Sequence, residues 1–269
     1  MIYQKQHLLR WCDMEKKFKI GLVLSGGGAK GFAHLGLLKA MEERGLKPEI
    51  IAGASIGALV GALYADGYSA TEMLEMFKNN RFFDLVQPKL NINSLLKTEK
   101  LQKKLKSVLQ STTFEELHIP LIVSTSNITN GKVVYFKSGL LIDKVLASIS
   151  IPIVFNPTVI DGEYYVDGGL LDNFPVEQIR NDCEYVIGLH LHPFKKQDKI
   201  KTIRQNIERT FHIIYQSHGW EKAKYCNLYI EPEKLSDYSA FDVRKGTALF
   251  KIGYEKASEM LDKAAIKTV

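Results

Sequence analysis

The sequence reads GGGAKG at residues 26–31 and GASIG at residues 53–57, with one predicted helix and one predicted strand between them. The second run has the G-x-S-x-G pattern of a nucleophile elbow, which presents a serine hydroxyl on a tight bend between a strand and a helix. Gly53 and Gly57 permit that bend because they carry no side chain that would clash with the neighbouring backbone. Ser55 is therefore a candidate nucleophile, and the first run offers the backbone N–H groups that such a serine needs.

Composition places the chain among ordinary globular proteins, because its 269 residues are 45% hydrophobic and 25% charged. Residues 18–269 are predicted to form one domain, preceded by an N-terminal extension at 1–17. No window approaches about 18 uninterrupted apolar residues, and no signal-peptide core precedes the first strand, so we expect a cytoplasmic protein. The three cysteines are far apart and outside C-x-x-C spacing, so no zinc site is suggested and neither metal nor cofactor is predicted.

The net charge of +6 favours anionic partners such as phospholipid head groups or nucleic acid. No RNA-binding signature, helix-turn-helix spacing or zinc-finger pattern accompanies it, so nucleic acid is not expected. Two segments are candidates for transient contact with a membrane surface, with core packing and a solvated face as their respective alternatives. They are Phe82, Phe83, Leu85 and Val86 beside Arg81 and Lys89, and the basic cluster Lys195, Lys196, Lys199, Lys201 and Arg204.

Strands and helices are predicted to alternate along the chain. Strands are predicted at 18–24, 49–54, 121–125, 132–136, 164–166 and 185–190. Helices are predicted at 29–44, 56–65, 69–79, 98–109, 140–148, 175–181 and 203–225. This alternation favours an α/β fold with a mostly parallel sheet covered on both faces.

The first glycine run also matches two nucleotide-binding patterns, and both fail on context. It satisfies G-x-G-x-x-G after a strand, but a dinucleotide site needs an acidic residue at the end of the next strand, which here ends at Ala54 and Ser55. A phosphate-binding P-loop is excluded because Phe32 and Ala33 stand where Lys and Ser or Thr are required.

An oxyanion hole is the remaining interpretation of this run. The backbone N–H groups of Gly27 and Gly28 would lie at a helix N-terminus, whose partial positive charge favours a developing negative oxygen. Lys30 either adds charge near this position or is an exposed residue of the first helical turn. His34, on the same helix, is interpreted as a structural histidine.

Three motifs together resemble the patatin-like phospholipase family in its small bacterial form. They are GGGAKGFAHLG, GASIGA and the DGG of Asp167, Gly168 and Gly169 followed by Asn173 and Pro175, in order and spacing over about residues 20–189. The resemblance implies a three-layer α/β/α sandwich with a mostly parallel central sheet and a lipid acyl hydrolase with a Ser-Asp dyad. It assigns Ser55 as nucleophile, Asp167 as base and the Gly26, Gly27 and Gly28 loop as oxyanion hole.

The sequence departs from the family pattern at two positions, and three residues that follow the DGG motif have separate interpretations. Ala54 stands where the family often has Thr, and Ile56, where the family often has a small residue, would narrow the acyl pocket. Asn173 and Pro175 are interpreted as fixing the start of the following helix. Asp172 is interpreted as a capping or surface residue.

The expected reaction is acyl transfer to Ser55. Asp167 accepts the serine proton, Ser55 attacks an ester carbonyl of a lipid or phospholipid, the glycine N–H groups hold the oxyanion, and water later releases the fatty acid. With an ordinary aspartate pKa of about 3.9, activity would persist to mildly acid pH. The lipid class, the acyl position and the oligomeric state stay open.

Two alternatives remain at this stage. An α/β-hydrolase esterase would use a Ser-Asp-His triad, with a base that follows Asp167 in sequence. The candidates for that base are His190, His192, His212 and His218. A regulatory or scaffold protein would keep the fold but act through binding, with little or no turnover.

Overall fold

The computed structural model describes residues 16–79, 98–196, 199–217 and 219–266. Within these ranges an eight-stranded sheet is formed by β1 (Phe18–Leu24), β2 (Ile50–Ala54), β3 (Leu121–Asn127), β4 (Lys132–Phe136), β5 (Thr158–Ile160), β6 (Glu163–Asp167), β7 (Cys183–Leu189) and β8 (Leu228–Ile230). The α-helices of the same ranges are α1 (Phe32–Glu42), α2 (Ile56–Ala65), α3 (Ala70–Asn79), α4 (Glu99–Val108), α5 (Leu141–Ser148), α6 (Ile203–Gln216), α7 (Gly219–Ala223) and α8 (Gly246–Ala264).

The sheet is mostly parallel, as the sequence predicts. Its order is β5-β6-β3-β2-β1-β7-β8, with β4 also pairing with β3. The five strands from β3 to β8 in this order are parallel, whereas β4, β5 and β6 pair in antiparallel fashion. This mixture confirms the α/β class.

Both faces of the sheet are covered, because successive strand residues point to opposite sides. Leu22 and Leu24 of β1 enter a large apolar core shared with α1 to α5 and α8. Val23, between them, enters a second and smaller core with Phe174 and Ile179. The result is three layers, of which the second helical layer is thin.

The first and the last α-helix of the described ranges, α1 and α8, pack closely against each other on the side of the sheet that carries the large core. A Cβ atom on Gly36 would collide with the backbone of α8, and one on Gly253 would collide with the backbone at Ala33. Glycine at these two positions therefore lets the helix backbones approach each other. No helix in the described part of the chain is long and apolar enough to cross a bilayer.

Three predicted helices differ from the structure. The helix predicted at 203–225 is wrong, because α6 ends at Gln216 and Gly219 begins a separate helix packed against the His190 ring. The helix predicted at 175–181 is only a 3-10 turn, Val176–Gln178, and the one predicted at 29–44 begins with a 3-10 turn at Gly28–Gly31. The apolar candidate segment at 81–89 lies outside the described residues.

Strand β3 aligns the two strand ends that carry the motifs. Residues 123–124 of β3 pair with both β2 and β4, and residues 125–127 pair with both β4 and β6. Since β4 occupies one edge of β3, β2 and β6 must share the other edge. There β2 stops with Ala54 opposite Ser124, and the antiparallel β6 stops with Asp167 opposite Thr125. The two strands therefore meet end to end.

Candidate active site

Ser55 occupies a strained turn between β2 and α2. Its φ of 53° and ψ of −127° lie in a region that residues with a Cβ atom rarely adopt, and such strain is found mostly at functional sites. The flanking glycines permit the turn. A Cβ atom on Gly53 would lie 2.7 Å from the Ala58 nitrogen, and one on Gly57 would collide with the Leu24 carbonyl.

The Ser55 hydroxyl donates a hydrogen bond to Asp167. The distance from Ser55 Oγ to Asp167 Oδ2 is 2.5 Å. The other carboxylate oxygen, Oδ1, accepts a 2.7 Å hydrogen bond from the backbone N–H of Gly169. Asp167 is completely buried and Ser55 nearly so. The residues of the two predicted motifs are thus brought together by the meeting of β2 and β6.

Burial changes the acid–base properties of this pair. It raises the pKa of Asp167 to about 7, although the hydrogen bonds from Ser55 and Gly169 oppose the shift. The expectation of activity at mildly acid pH relied on an ordinary aspartate pKa, and that assumption is wrong for this carboxylate. A pKa near 7 suits a group that takes up and returns a proton at neutral pH.

Ser148 fixes the backbone of the elbow. Its hydroxyl accepts a 2.9 Å hydrogen bond from the Ser55 N–H and donates a 2.7 Å hydrogen bond to the Ser124 carbonyl. All three serines are buried. Sequence reasoning missed this contact, because Ser148 lies 93 positions from Ser55 and in no motif.

The glycine loop contributes two backbone donors near Ser55. Gly27 and Gly28 donate their N–H groups to none of the residues that the structure describes. Gly28 has a φ of 57° and no room for a Cβ atom beside the Ala240 carbonyl, so glycine is required there. A Cβ atom on Gly26 would lie 2.8 Å from Ser55 Cβ, which places the loop directly beside Ser55.

Asn173 connects this loop to helix α6. Its Oδ1 accepts a 3.0 Å hydrogen bond from the Gly26 N–H, and its Nδ2 donates to the Tyr215 carbonyl at 3.1 Å. The Gly26 donor is therefore already occupied, whereas the Gly27 and Gly28 N–H groups have no partner among the described residues. The sequence interpretation of Asn173 as a helix-start residue missed this contact across 147 positions.

Asp172 is buried in an ion-pair network, so its interpretation as a capping or surface residue is wrong. It accepts hydrogen bonds from Lys222 Nζ at 2.7 Å and from Tyr135 Oη at 2.7 Å. It also accepts the backbone N–H of Phe174 at 3.0 Å. These contacts hold the chain immediately before Asn173.

The histidines do not complete a triad in the described ranges. His34 is fully buried and bonds the Ser25 carbonyl through Nε2 at 2.7 Å, in line with its structural interpretation. His190 Nδ1 pairs with Glu231 at 2.7 Å. His192 and His212 have no hydrogen bond to Ser55 or Asp167, and His218 lies outside the described residues.

A cavity of about 370 Å³ opens onto Ser55. Lys30, His192 and Tyr215 are among the residues that line it. Lys30 is only 2% exposed, so the alternative of an exposed first-turn lysine is wrong. Ile56 is buried against Gly31 and does not line this cavity, so the structure gives no support for its narrowing the pocket. No group of three potential metal ligands occurs among the described residues.

Comparisons with known proteins identify the family. The patatin-like phospholipase family model matches residues 22–180, more than half of the chain. Lysophospholipase NTE1 of Scheffersomyces stipitis is 25% identical over 293 residues, which cover 95% of this chain and 19% of that protein. An uncharacterised NTE family protein of Mycobacterium bovis is 33% identical over 163 residues, 60% of this chain and 45% of that one.

The crystal structure of VipD from Legionella pneumophila shares the fold, with a TM-score of 0.54 and 17% identity over 92% of this chain and 67% of VipD. This chain spans less than half the length of the two relatives above. The matched range contains the glycine loop, the serine elbow and the DGG motif, so the chain belongs to the patatin-like phospholipase family.

Proposed function

We propose that this protein is a serine lipid acyl hydrolase of the phospholipase, lysophospholipase or esterase type, with Ser55 and Asp167 as a catalytic dyad. The observation that carries the proposal is the 2.5 Å hydrogen bond from the Ser55 hydroxyl to a completely buried carboxylate. Ser55 lies on a strained elbow beside unoccupied backbone donors, which is the arrangement that acyl transfer through a serine requires.

The first half-reaction forms an acyl-enzyme. Asp167 takes the Ser55 proton as Oγ attacks the ester carbonyl carbon, and the resulting oxyanion accepts hydrogen bonds from the Gly27 and Gly28 N–H groups. The tetrahedral intermediate then expels the alcohol, which receives the proton from Asp167. The N-terminus of α2 favours the negative charge that develops on Oγ.

The second half-reaction releases the fatty acid. Asp167 takes a proton from water, the hydroxide oxygen attacks the acyl carbon, and the same two N–H groups stabilise the second oxyanion. Expulsion of Ser55 Oγ and return of the proton restore the free enzyme. A carboxylate with a pKa of about 7 can serve as base in one step and as acid in the next.

A transient membrane contact is part of the proposal. Phe194 and Ile203 are 56% and 74% exposed, and in the sequence they bracket a group of lysines, of which Lys195 and Lys196 line the cavity. Exposed apolar side chains insert into a lipid surface, and neighbouring cations bind its anionic head groups. A cytoplasmic location remains a prediction.

A fluorophosphonate probe tests the proposal together with a panel of lipid esters. We expect covalent labelling of wild type, no labelling of Ser55→Ala, and fatty acid release only by wild type. Labelling that survives Ser55→Ala contradicts the assignment of the nucleophile. A folded wild type that neither labels nor releases fatty acid favours the regulatory alternative, and complete loss of activity in a single histidine variant favours the triad.

A further inference from the structure

The C-terminal part of the chain supplies a wall of the cavity beside Ser55. Residues 236–241 line the cavity together with Gly28 and Ser55. At residues 239–242 the backbone makes a tight turn, called here the 239–242 turn, and its Ala240 contacts the end of the glycine loop. The turn lies outside the range that matches the family, which ends at residue 180.

The contact between the turn and the loop is a short backbone hydrogen bond. The Ala29 N–H donates to the Ala240 carbonyl at 2.7 Å, the short end of the range for such bonds. A Cβ atom on Gly28 would collide with the same carbonyl oxygen and would lie 3.2 Å from Ala240 Cβ. The loop and the turn therefore pack backbone against backbone, and glycine at position 28 permits this approach.

This bond completes a pattern along the glycine loop. Four consecutive N–H groups run from Gly26 to Ala29, and the outer two are both hydrogen-bonded. The inner two, of Gly27 and Gly28, have no partner among the described residues. A segment anchored on both sides of two unoccupied donors keeps those donors in place before an oxyanion forms. Such preorganisation is what oxyanion stabilisation requires.

Asp242 holds the turn in shape. Its Oδ2 accepts a 2.9 Å hydrogen bond from the Ser239 N–H, and its own N–H donates to the Ser239 carbonyl at 3.2 Å. Ser239 Oγ accepts the Phe241 N–H at 3.2 Å. The bond to the carboxylate is charge-assisted and therefore stronger than one to a neutral acceptor. The two ends of the turn are thus tied together, and Ala240 lies between them.

Asp242 also acts on the glycine loop through its charge. Burial lowers the pKa of Lys30 to about 8, and the attraction of Asp242 opposes that fall. The carboxylate therefore acts on the loop in two ways, through the hydrogen bond that shapes the turn and through its charge. Asp242→Asn separates the two, because an amide oxygen still accepts the Ser239 N–H while the charge is gone.

We propose that Asp242 is a positioning residue for the glycine loop. By closing the turn it presents the Ala240 carbonyl to the Ala29 N–H, and the anchored loop keeps the Gly27 and Gly28 donors in place for the oxyanion. This inference rests on the proposed acyl hydrolase function, because it assigns the turn to the oxyanion hole of that reaction. It adds to the site a residue that no sequence motif includes.

Amide hydrogen exchange in wild type tests the anchoring directly. The Ala29 amide should exchange at least about tenfold more slowly than the Gly27 and Gly28 amides, after correction for intrinsic rates. An aliphatic trifluoromethyl ketone, which forms a tetrahedral adduct with an active serine, should slow exchange at Gly27 and Gly28. An Ala29 amide that exchanges as fast as its two neighbours overturns the proposal.

Substitution of Asp242 links the turn to catalysis. We expect Asp242→Ala to speed exchange of the Ala29 amide at least about tenfold and to lower kcat on a soluble ester about 10- to 100-fold, with KM within about threefold. Affinity for the trifluoromethyl ketone should fall by about the same factor as kcat/KM, because the adduct carries the oxyanion. Asp242→Asn keeps the acceptor and should stay within about threefold of wild type in each measurement.

The matched control is Glu233→Ala, at an exposed acidic residue of the same C-terminal segment. It should leave kcat and the exchange rate of the Ala29 amide within about twofold of wild type. The Ile51 amide, which donates to the Pro120 carbonyl at 2.9 Å, reports on the sheet in every variant. Faster exchange at Ile51 as well as Ala29 in Asp242→Ala indicates a general loss of structure and overturns a local positioning role.

Three results overturn the inference while the proposed function stands. A kcat loss in Asp242→Asn as large as that in Asp242→Ala assigns the effect to the charge of Asp242. A kcat loss without faster Ala29 exchange, or faster Ala29 exchange without a kcat loss, separates the turn from the reaction. A wild type that hydrolyses no ester and forms no adduct with the ketone refutes the proposed function itself, and the role of Asp242 falls with it.

Discussion

Replacement of the buried base should inactivate the protein and stabilise it at the same time. Asp167 has a pKa of about 7 in the folded protein against 3.8 for an ordinary aspartate, because burial disfavours its charge. That difference corresponds to about 4 kcal/mol, the free energy by which ionised Asp167 weakens the folded state at alkaline pH. Asp167→Asn keeps the shape and removes the charge.

The sign of the effect follows from proton linkage. A carboxyl group with a raised folded-state pKa contributes full stability below pH 3.8, and the contribution is lost as the pH rises through about 7. At pH 5 wild type retains part of it, and at pH 8.5 none. The unfolding free energy of Asp167→Asn relative to wild type should therefore increase by about 2 to 3 kcal/mol between pH 5 and pH 8.5.

Urea unfolding of both proteins at the two pH values measures this difference, and fatty acid release measures activity. We expect kcat/KM of Asp167→Asn to fall about 10³-fold or more. The control is Asp161→Asn in an exposed turn, which should show the same difference from wild type at both pH values. A relative stability of Asp167→Asn that does not change with pH, or that falls at pH 8.5, refutes the argument that burial sets this pKa.

Three further predictions concern the pH profile, the glycine loop and the membrane surface. The kcat/KM of wild type on a soluble ester should rise about tenfold per pH unit up to a pKa near 7 and then level off; an inflection near pH 4 would contradict the raised pKa of Asp167. Asn173→Ala removes the shorter hydrogen bonds of the Gly26 N–H and the Tyr215 carbonyl and leaves each with a single 3.4 Å contact, so urea unfolding should show a loss of about 1 to 3 kcal/mol and kcat/KM should fall about 10-fold, whereas unchanged kcat/KM would exclude a role in positioning the loop. The double variant Phe194→Ser and Ile203→Ser should sediment with anionic vesicles at least about tenfold more weakly than wild type, and equal weakening by Tyr164→Ser, at an exposed position of β6, would contradict this surface.

Local signals made much of the fold predictable. Strand β1 and helix α2 occur with the predicted bounds, because an uninterrupted apolar run and an all-apolar helix after Ser55 leave few alternatives. The prediction of one helix at 203–225 was wrong, because a turn interrupts the helix although the residues after the turn also favour helix. Helix α8 and strands β5 and β8 were missed, since the last two are three residues long and carry little periodicity.

The motif residues of the candidate site could be predicted, whereas the groups around them could not. Ser55 and the glycine loop have local signatures, which their need for special backbone geometry produces. Asn173, Ser148 and Tyr215 contact the site from far along the chain, and hydrogen bonds of that kind leave no local pattern. The one available signal was a polar Asn173 beside the apolar Phe174, which suggests a side chain with buried partners.

The direct contact between Ser55 and Asp167 is a consequence of strand direction and register in the sheet, and the sequence motifs alone do not predict it. In a purely parallel arrangement the residue after each strand projects into a loop, and a third side chain could stand between nucleophile and acid. Here the antiparallel β6 runs toward the end of β2 along the same edge of β3, so the register places Ala54 and Asp167 opposite adjacent β3 residues. The resulting 2.5 Å separation of Ser55 Oγ and Asp167 Oδ2 leaves no space for an imidazole between them. The same packing excludes water from Asp167, and this burial raises its pKa toward the value that a lone carboxylate base needs at neutral pH.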